Sequence, residues 1–196
     1  MTIARDSHSQ IAGRLFGDLT EQTTPAAARP LLTNVRETFG FVPNLAVTMA
    51  AVPATLEGYF HVLKAFGETS LSPVEQQIVL MSVSRANQAE YSLAIHTTLA
   101  LRLGADPEAV KAVGTGASLT DVRLAALRRF TEALTVCRGR VLLSEIDDFL
   151  AAGYDRDAIV AVAFGVAVKT FANALAYLAK TPVDAPFVPA LARLSS

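Results

Sequence analysis

Apolar residues recur along most of the chain at the three- and four-residue spacing of amphipathic helices. The clearest stripe falls on one side of a helix, with arginine and glutamate between its members, and consists of Val122, Leu124, Leu127, Phe130 and Leu134. The sequence shows no alternating β-branched runs bounded by hairpin turns. The pattern predicts an all-α protein.

Proline and glycine residues divide the pattern into separate helices. The predicted helices begin with one at about residues 31–39 and a short one after residue 44, and continue with 53–67, 73–87, 89–103, 107–114, 120–139, 144–153 and 155–179. Ser72 and Glu75 have the spacing of a capping box, and Thr120 and Ser144 are predicted to cap two later helices. We expect an N-terminal lead segment over residues 1–30 and a single domain over residues 31–196.

Composition adds an expectation about assembly. Hydrophobic residues make up 52% of the 196 residues and charged residues only 18%, whereas charged residues are about 25% of an average globular protein. Monomers rarely expose large contiguous apolar patches, so this surplus predicts helix–helix interfaces between subunits of a homo-oligomer. The formal net charge of -1 provides no basic surface for nucleic acid.

The sequence gives no sign of export or of a membrane location. Residues Met1–Gln10 lack the apolar region of a secretory signal. The longest apolar run, Ile159–Val168, has about half the length that spans a bilayer. The one cysteine, Cys137, excludes an intramolecular disulfide and a cysteine-rich metal site. We expect a cytoplasmic protein that binds neither nucleic acid nor a membrane, and no metal.

Residues 71–96, with the sequence LSPVEQQIVLMSVSRANQAEYSLAIH, resemble the core of the carboxymuconolactone decarboxylase and AhpD-like alkyl hydroperoxidase superfamily. Gly40–Leu45 and Leu103–Val110 fit the same pattern, and Lys169–Asn173 resembles the C-terminal helix of its peroxidase-related branch. The resemblance implies an AhpD-like bundle of about eight or nine helices with its family core at about residues 40–125. It also implies assembly as a trimer or hexamer.

Redox-active members of that superfamily carry a glutamate, a Cys-x-x-Cys pair and a histidine, and helical spacing brings the two thiols and the imidazole to one face. The matching positions here are Gln77, Ala89, Ser92 and His96. Glutamine does not take up a proton near neutral pH, and neither alanine nor serine has thiol chemistry. The thiol peroxidase cycle is therefore not expected at this site, and Cys137, on a later helix, is interpreted as a small buried apolar residue.

His96 is the chemical residue that this pattern retains, and it has two interpretations. It is a general acid or base, because an unperturbed pKa of about 6.5 places both protonation states within reach. Alternatively, it is a structural histidine that hydrogen-bonds Gln77 and braces two helices. The decarboxylase branch of the superfamily also lacks the Cys pair and is understood to transfer protons on a lactone acid, so the resemblance is compatible with the catalytic interpretation.

Three further residues are predicted to position a ligand beside His96 and Gln77. Ser92 precedes His96 by one helical turn, and Tyr91 offers a hydroxyl beside it. Arg85 suits a carboxylate through paired hydrogen bonds. The structural alternatives are packing for Tyr91 and a salt bridge between helices for Arg85.

These observations support three hypotheses of function. The first is an acid/base enzyme without a cofactor, of decarboxylase or isomerase type, that acts on a small apolar or carboxylated molecule through His96. The second is the antioxidant peroxidase activity of the superfamily, against which the missing thiol pair argues. The third is a non-catalytic oligomer that binds a ligand or a protein.

Overall fold

The computed structural model describes residues 12–195, and the regular secondary structure in that part of the chain is entirely helical. Residues 12–16 are helical, and two short 3-10 helices span Ala26–Ala28 and Ala185–Phe187. The α-helices of this part are α1 (Arg29–Phe39), α2 (Asn44–Ala50), α3 (Pro53–Gly67), α4 (Pro73–Ala86), α5 (Glu90–Arg102), α6 (Pro107–Thr115), α7 (Val122–Val136), α8 (Leu143–Ala151), α9 (Arg156–Ala179) and α10 (Val188–Ser195). The all-α prediction is confirmed, with slightly more helices than expected. Residues 1–11, on which the expectation about a secretory signal depends, lie outside the described part.

Most helices begin and end where the sequence predicts. Pro53 opens α3, and α4 begins at the predicted capping box. In that box the Ser72 hydroxyl accepts a hydrogen bond from Glu75 N at 3.3 Å, and the Glu75 carboxylate accepts one from Ser72 N at 2.9 Å. Gly40 ends α1 with a φ of 79°, a left-handed conformation that glycine adopts without strain.

Two predicted caps are wrong. Asp121 rather than Thr120 caps α7, because its carboxylate accepts a hydrogen bond from Leu124 N at 3.0 Å. Ser144 lies inside α8, and Leu142 is the N-cap residue instead. The Glu145 carboxylate accepts a hydrogen bond from Leu142 N at 2.8 Å. Neighbouring residues can each serve as a cap, so the sequence pattern alone leaves an error of one or two positions.

Helix α4 lies at the centre of the bundle. It packs against α5, α7 and α9, and Ile78, Val79, Met81 and Val83 are buried completely. A helix that is apolar all round requires neighbours on every side. A second apolar cluster joins α1, α2, α3 and the C-terminal half of α9, and the candidate site lies where this cluster meets α5.

Helix α9 is long and apolar enough to cross a membrane, judged by length and composition alone. In the described structure it packs against α3, α4 and α7, and 44% of its most apolar window is buried. Its outer side carries the exposed residues Val160, Phe171 and Leu178. The same length and composition are found in core helices of helical bundles, and α9 here is packed on one side and exposed on the other.

Gly165 allows α9 to approach α3 and α4 closely. A Cβ added at this position would lie 2.8 Å from Phe66 Cε2 and 2.8 Å from Val79 Cγ1. Both of those side chains are buried and have little room to move. Gly165 precedes Lys169 by one helical turn, so this approach also determines how deeply Lys169 enters the bundle.

The substitution Gly165→Ala is expected to lower the free energy of unfolding by about 1 to 2 kcal/mol, because overlap with two packed side chains outweighs the higher helix propensity of alanine. Gly58→Ala on α3 is the matched control, since nothing lies within 4 Å of its added Cβ. That change is expected to stabilise the protein by about 0.5 to 1 kcal/mol. Urea denaturation checks both values, and effects of the same sign would contradict the packing described for Gly165.

Candidate functional site

His96 lies on α5 and is bonded through both ring nitrogens to neighbouring helices. Its Nδ1 lies 2.9 Å from Gln77 Oε1 on α4, and its Nε2 lies 2.7 Å from Lys169 Nζ on α9. The histidine is only 4% exposed. Three helices therefore fix the position and the orientation of the imidazole.

These two partners also determine which nitrogen carries the hydrogen. Gln77 Oε1 can only accept, so Nδ1 donates to it, and Nε2 is left to accept a hydrogen bond from Lys169. Burial, together with the adjacent positive charge of Lys169, lowers the pKa of His96 well below its ordinary value of 6.5. At neutral pH His96 is consequently a neutral imidazole whose basic nitrogen faces Lys169.

Lys169 is the site residue that the sequence analysis does not identify. Its side chain is 2% exposed, and its Nζ lies 3.4 Å from the hydroxyl of Tyr59 on α3 as well as beside His96. Within residues 12–195, no carboxylate forms an ion pair with it. Burial disfavours the ammonium form and lowers the pKa of Lys169 to about 7. The amine and the ammonium forms therefore coexist near neutral pH.

A signal for Lys169 is present in the sequence. It is the one charged residue of α9 beyond the first turn of that 24-residue helix, and it follows a run of apolar residues. Lysine is almost never fully buried without a partner. A lysine within a helix that is apolar on nearly every side therefore indicates either a break in the apolar surface or a buried amine, and the structure shows the second.

Lys169, His96 and Tyr91 line a cavity of about 60 Å³. This volume holds about two water molecules or an organic molecule of a few heavy atoms. The rest of the wall is apolar or aromatic and includes Phe39, Met49, Tyr59, Phe60, Ile95 and Phe187. Basic groups on a small apolar cavity are typical of a site that binds a small molecule.

A larger surface groove of about 290 Å³ between α1 and α3 does not show the same features. Its titratable residues are Glu57, His61 and Lys64, and all three are exposed. No hydrogen bond joins their side chains in the described structure; His61 bonds the backbone oxygen of Glu57 instead. We therefore place the candidate site in the smaller cavity.

Tyr91 contributes its ring to the cavity wall, while its hydroxyl is engaged elsewhere. The hydroxyl donates to Asp184 Oδ2 at 2.8 Å and accepts a hydrogen bond from Leu45 N at 3.2 Å. Asp184 Oδ1 also accepts from Asn44 N at 3.0 Å. Burial is the main cause that raises the pKa of Tyr91, so the phenol stays protonated. Tyr91 thus ties α5 to the start of α2 and to the segment after α9.

The structure brings Gln77 and His96 together as the sequence predicts, but it does not bring every predicted residue to the cavity. Arg85 lies two turns beyond Gln77 on α4 and bonds Glu132 Oε1 on α7 at 3.0 Å, so its predicted role as a ligand contact is replaced by a salt bridge. Ser92 is completely buried, does not line the cavity, and has no hydrogen-bond partner for its hydroxyl in the described structure.

Neither the remaining position of the redox pattern nor the one cysteine places a reactive group in the cavity. Ala89 is buried and immediately precedes α5. Cys137, interpreted from the sequence as buried, is exposed at the C-terminal end of α7, and the correction follows from its position beyond the last buried turn of that helix. Neither residue lines the cavity.

Comparison with known proteins supports one family and one fold. Residues 45–134 match the model of the carboxymuconolactone decarboxylase family. None of the curated proteins matches the chain. Among solved structures, an uncharacterized peroxidase-related protein from Silicibacter sp. TM1040 is similar, with a TM-score of 0.75 and 20% identity over 87% of this chain and 92% of that one.

Two further structures share this architecture. A peroxidase-related protein from Ralstonia eutropha JMP134, described as an alkylhydroperoxidase AhpD core, has a TM-score of 0.74 and 22% identity over 86% of this chain and 90% of that one. A variant of the debrominase Bmp8 in complex with 2,3,4-tribromopyrrole has a TM-score of 0.73 and 18% identity over 86% of this chain and 91% of that one. At these identities the likeness establishes the AhpD-like fold.

The stability of the protein is expected to depend on pH through Lys169. The pKa of Lys169 is about 7 in the folded chain, below the ordinary value of 10.5. Between these values the unfolded chain holds the proton and the folded chain does not, so stability rises as pH increases from about 7 towards 10. The destabilisation caused by the buried charge is fully present below the folded-state pKa.

The substitution Lys169→Met removes this charge, so the variant does not gain stability from pH 7 to pH 9 as the wild type does. The free energy of unfolding of the variant, relative to that of wild type, is expected to fall by about 2 kcal/mol between about pH 7 and about pH 9. Urea denaturation at the two pH values measures the change. Lys64→Met, at an exposed position on α3, is the matched control and is expected to show the same difference from wild type at both. A pH-independent effect of Lys169→Met would contradict the burial of a titrating amine.

Proposed function

Because residues 45–134 match the carboxymuconolactone decarboxylase family model and the fold is AhpD-like, we propose that this chain is an acid/base enzyme that acts without a cofactor on a small, largely apolar molecule. In this proposal His96 transfers the proton. The observation that carries the proposal is the neutral imidazole at the cavity wall, with its basic Nε2 held 2.7 Å from Lys169 Nζ.

The pair supplies a base and an acid side by side. A ligand that binds between Lys169 Nζ and His96 Nε2 replaces the hydrogen bond between them. Its proton then faces Nε2 as the acceptor, and its oxygen faces the Lys169 ammonium as the donor. Proton abstraction next to a carbonyl uses both, because the base removes a proton from carbon while the donor stabilises the negative charge that develops on oxygen. The pKa of Lys169, about 7, suits a donor that must also recover its proton at neutral pH.

Gln77 is a positioning residue in this proposal. Its carbonyl oxygen accepts the hydrogen of His96 Nδ1 and so keeps Nε2 unprotonated. In the superfamily pattern a glutamate stands at this position, and it could take the proton from the histidine. A glutamine cannot, so the proton that His96 collects is returned to the ligand or to Lys169.

The cavity walls support a small apolar ligand. Phe39, Met49, Phe60 and Ile95 offer no charge to pair with a ligand, and Arg85, which would favour a carboxylate, bonds Glu132 elsewhere. A debrominase of the same fold forms a complex with 2,3,4-tribromopyrrole, which is a small organic molecule. These observations favour the apolar over the carboxylated substrate.

The peroxidase alternative receives less support from the arrangement of the site. Peroxide reduction by this superfamily's chemistry needs a thiol beside the histidine, and the residues that line the cavity do not include a cysteine. Cys137 is exposed at the end of α7. We therefore retain acid/base chemistry as the proposed function.

Solvent exchange into small carbon acids tests this proposal. We expect the protein to exchange the carbon-bound protons of acetone, γ-butyrolactone or acetaldehyde with deuterium in D₂O, and NMR follows the exchange. The substitution His96→Gln is expected to slow that exchange at least about a hundredfold, because a general base contributes 10²- to 10⁴-fold. His61→Gln, at an exposed position on α3, is the matched control and is expected to leave the rate unchanged.

The outcomes separate the three hypotheses. Exchange that depends on His96 supports the proposal, and its complete absence with all three probes counts against catalysis and in favour of a binding protein. Exchange that is unchanged in His96→Gln would contradict the role of His96. Peroxide consumption that disappears in Cys137→Ser would replace the proposal by a one-thiol peroxidase.

A further inference from the structure

We propose that Lys169 forms a covalent imine with a small neutral aldehyde or ketone bound in the His96 cavity. The inference rests on the proposed function and deepens it, because it names the class of substrate and the bond by which the protein holds it.

The surroundings of Nζ are those of a nucleophile rather than of a structural cation. The amine is buried at the wall of a cavity, and no carboxylate within residues 12–195 forms an ion pair with it. Its two hydrogen-bond partners are His96 Nε2 and the hydroxyl of Tyr59. A lysine in an apolar site without a counter-charge is present partly as the free amine at neutral pH, which is the form that attacks a carbonyl.

The same two partners can move the protons that imine formation requires. The Nζ lone pair attacks the carbonyl carbon, a carbon–nitrogen bond forms, and the carbonyl electron pair moves to oxygen. The oxygen takes a proton from the Tyr59 hydroxyl, and His96 Nε2 accepts a proton from the nitrogen. The hydroxyl group then leaves as water with the proton that His96 collected, a protonated imine remains on Lys169, and Tyr59 recovers its proton from solvent water. No electrons are exchanged with an oxidant or a reductant.

The imine also explains why the base lies beside the amine. A positively charged imine makes the protons on the neighbouring carbon more acidic, because the electrons released by their removal spread onto nitrogen. After Nζ has bonded to carbon, Nε2 no longer needs to accept a hydrogen bond from an ammonium group. His96 is then 2.7 Å from the former position of Nζ and can act on those protons.

The cavity selects the size and the charge of the carbonyl compound. Its volume of about 60 Å³ suits a compound such as acetaldehyde or acetone rather than a sugar or a nucleotide. The walls are apolar apart from Lys169, His96 and the hydroxyl of Tyr59, and of these only Lys169 can carry a positive charge at neutral pH. Once that amine has formed the imine, the imine nitrogen is itself the cation at the wall, and no second cation lines the cavity to pair with a carboxylate, which favours a neutral substrate.

Reductive trapping tests the imine in the unmodified protein. The folded wild-type chain is incubated at about pH 7 with acetaldehyde, or separately with acetone, and with sodium cyanoborohydride, which reduces a protonated imine to a stable secondary amine. The other lysines, Lys64, Lys111 and Lys180, are internal references. Peptide mass spectrometry is expected to show alkylation of Lys169 at least about tenfold faster than that of any reference, because Lys169 lines the cavity that binds the carbonyl compound and is partly unprotonated at this pH.

A repeat of the reaction in denaturing urea is the control for the fold. The preference for Lys169 is expected to disappear there, because the cavity no longer exists. Tyr59→Phe and His96→Gln are expected to slow the labelling of Lys169 in the folded protein without changing that of the references. Labelling of Lys169 no faster than that of the references, or a preference that persists in urea, would overturn the imine.

The result can be separated from the test of the proposed function. If exchange depends on His96 but Lys169 is not labelled preferentially, direct acid/base catalysis stands and the imine is overturned. If Lys169 is labelled preferentially but none of the probes exchanges its protons, the imine stands and the acid/base enzyme is contradicted.

Discussion

The candidate site depends on one buried amine that forms no ion pair with any carboxylate of residues 12–195. Lys169 is 2% exposed, and it bonds a neutral imidazole instead of a carboxylate. Two positive charges 2.7 Å apart would repel each other strongly in a buried site, so the pair holds a single titrating proton near neutral pH. Burial of an unpaired charge is costly, so the Lys169 ammonium lowers the stability of the fold rather than raising it.

The rest of the bundle positions this pair. Helix α4 provides Gln77, which fixes the tautomer of His96, and α5 provides the histidine itself. Gly165 lets α9 approach α3 and α4 closely enough for Lys169 to reach the imidazole. Asp184, through Tyr91, ties the cavity wall to the segment after α9. The apolar wall around Nζ comes mainly from the other helices, through Phe39, Met49, Phe60 and Ile95.

The sequence predicts most of the fold and about half of the site. Helix periodicity, together with the proline and glycine residues at helix ends, predicts the positions of most of the helices. The pattern from Gln77 to His96 predicts a hydrogen bond between these two side chains, and the structure shows it at 2.9 Å. Lys169 is 73 residues from His96 along the chain, and no local spacing reveals that α9 packs beside α5 with this residue turned inwards. Arg85 is the opposite case, because the sequence predicts a ligand contact that the structure does not show. Its guanidinium suits a carboxylate ligand, but on α4 it lies beside Glu132 and bonds that residue.

The most direct test of this account is the protonation state of His96 itself. Nitrogen NMR of the protein with ¹⁵N-labelled histidine, assigned by comparison with His96→Gln, distinguishes the two neutral tautomers from the imidazolium. The account requires a neutral ring with its hydrogen on Nδ1 that stays neutral well below pH 6.5, because burial and Lys169 both lower the pKa of His96. A ring with its hydrogen on Nε2, or one that becomes an imidazolium near pH 6.5, would contradict the pairing of His96 with Lys169.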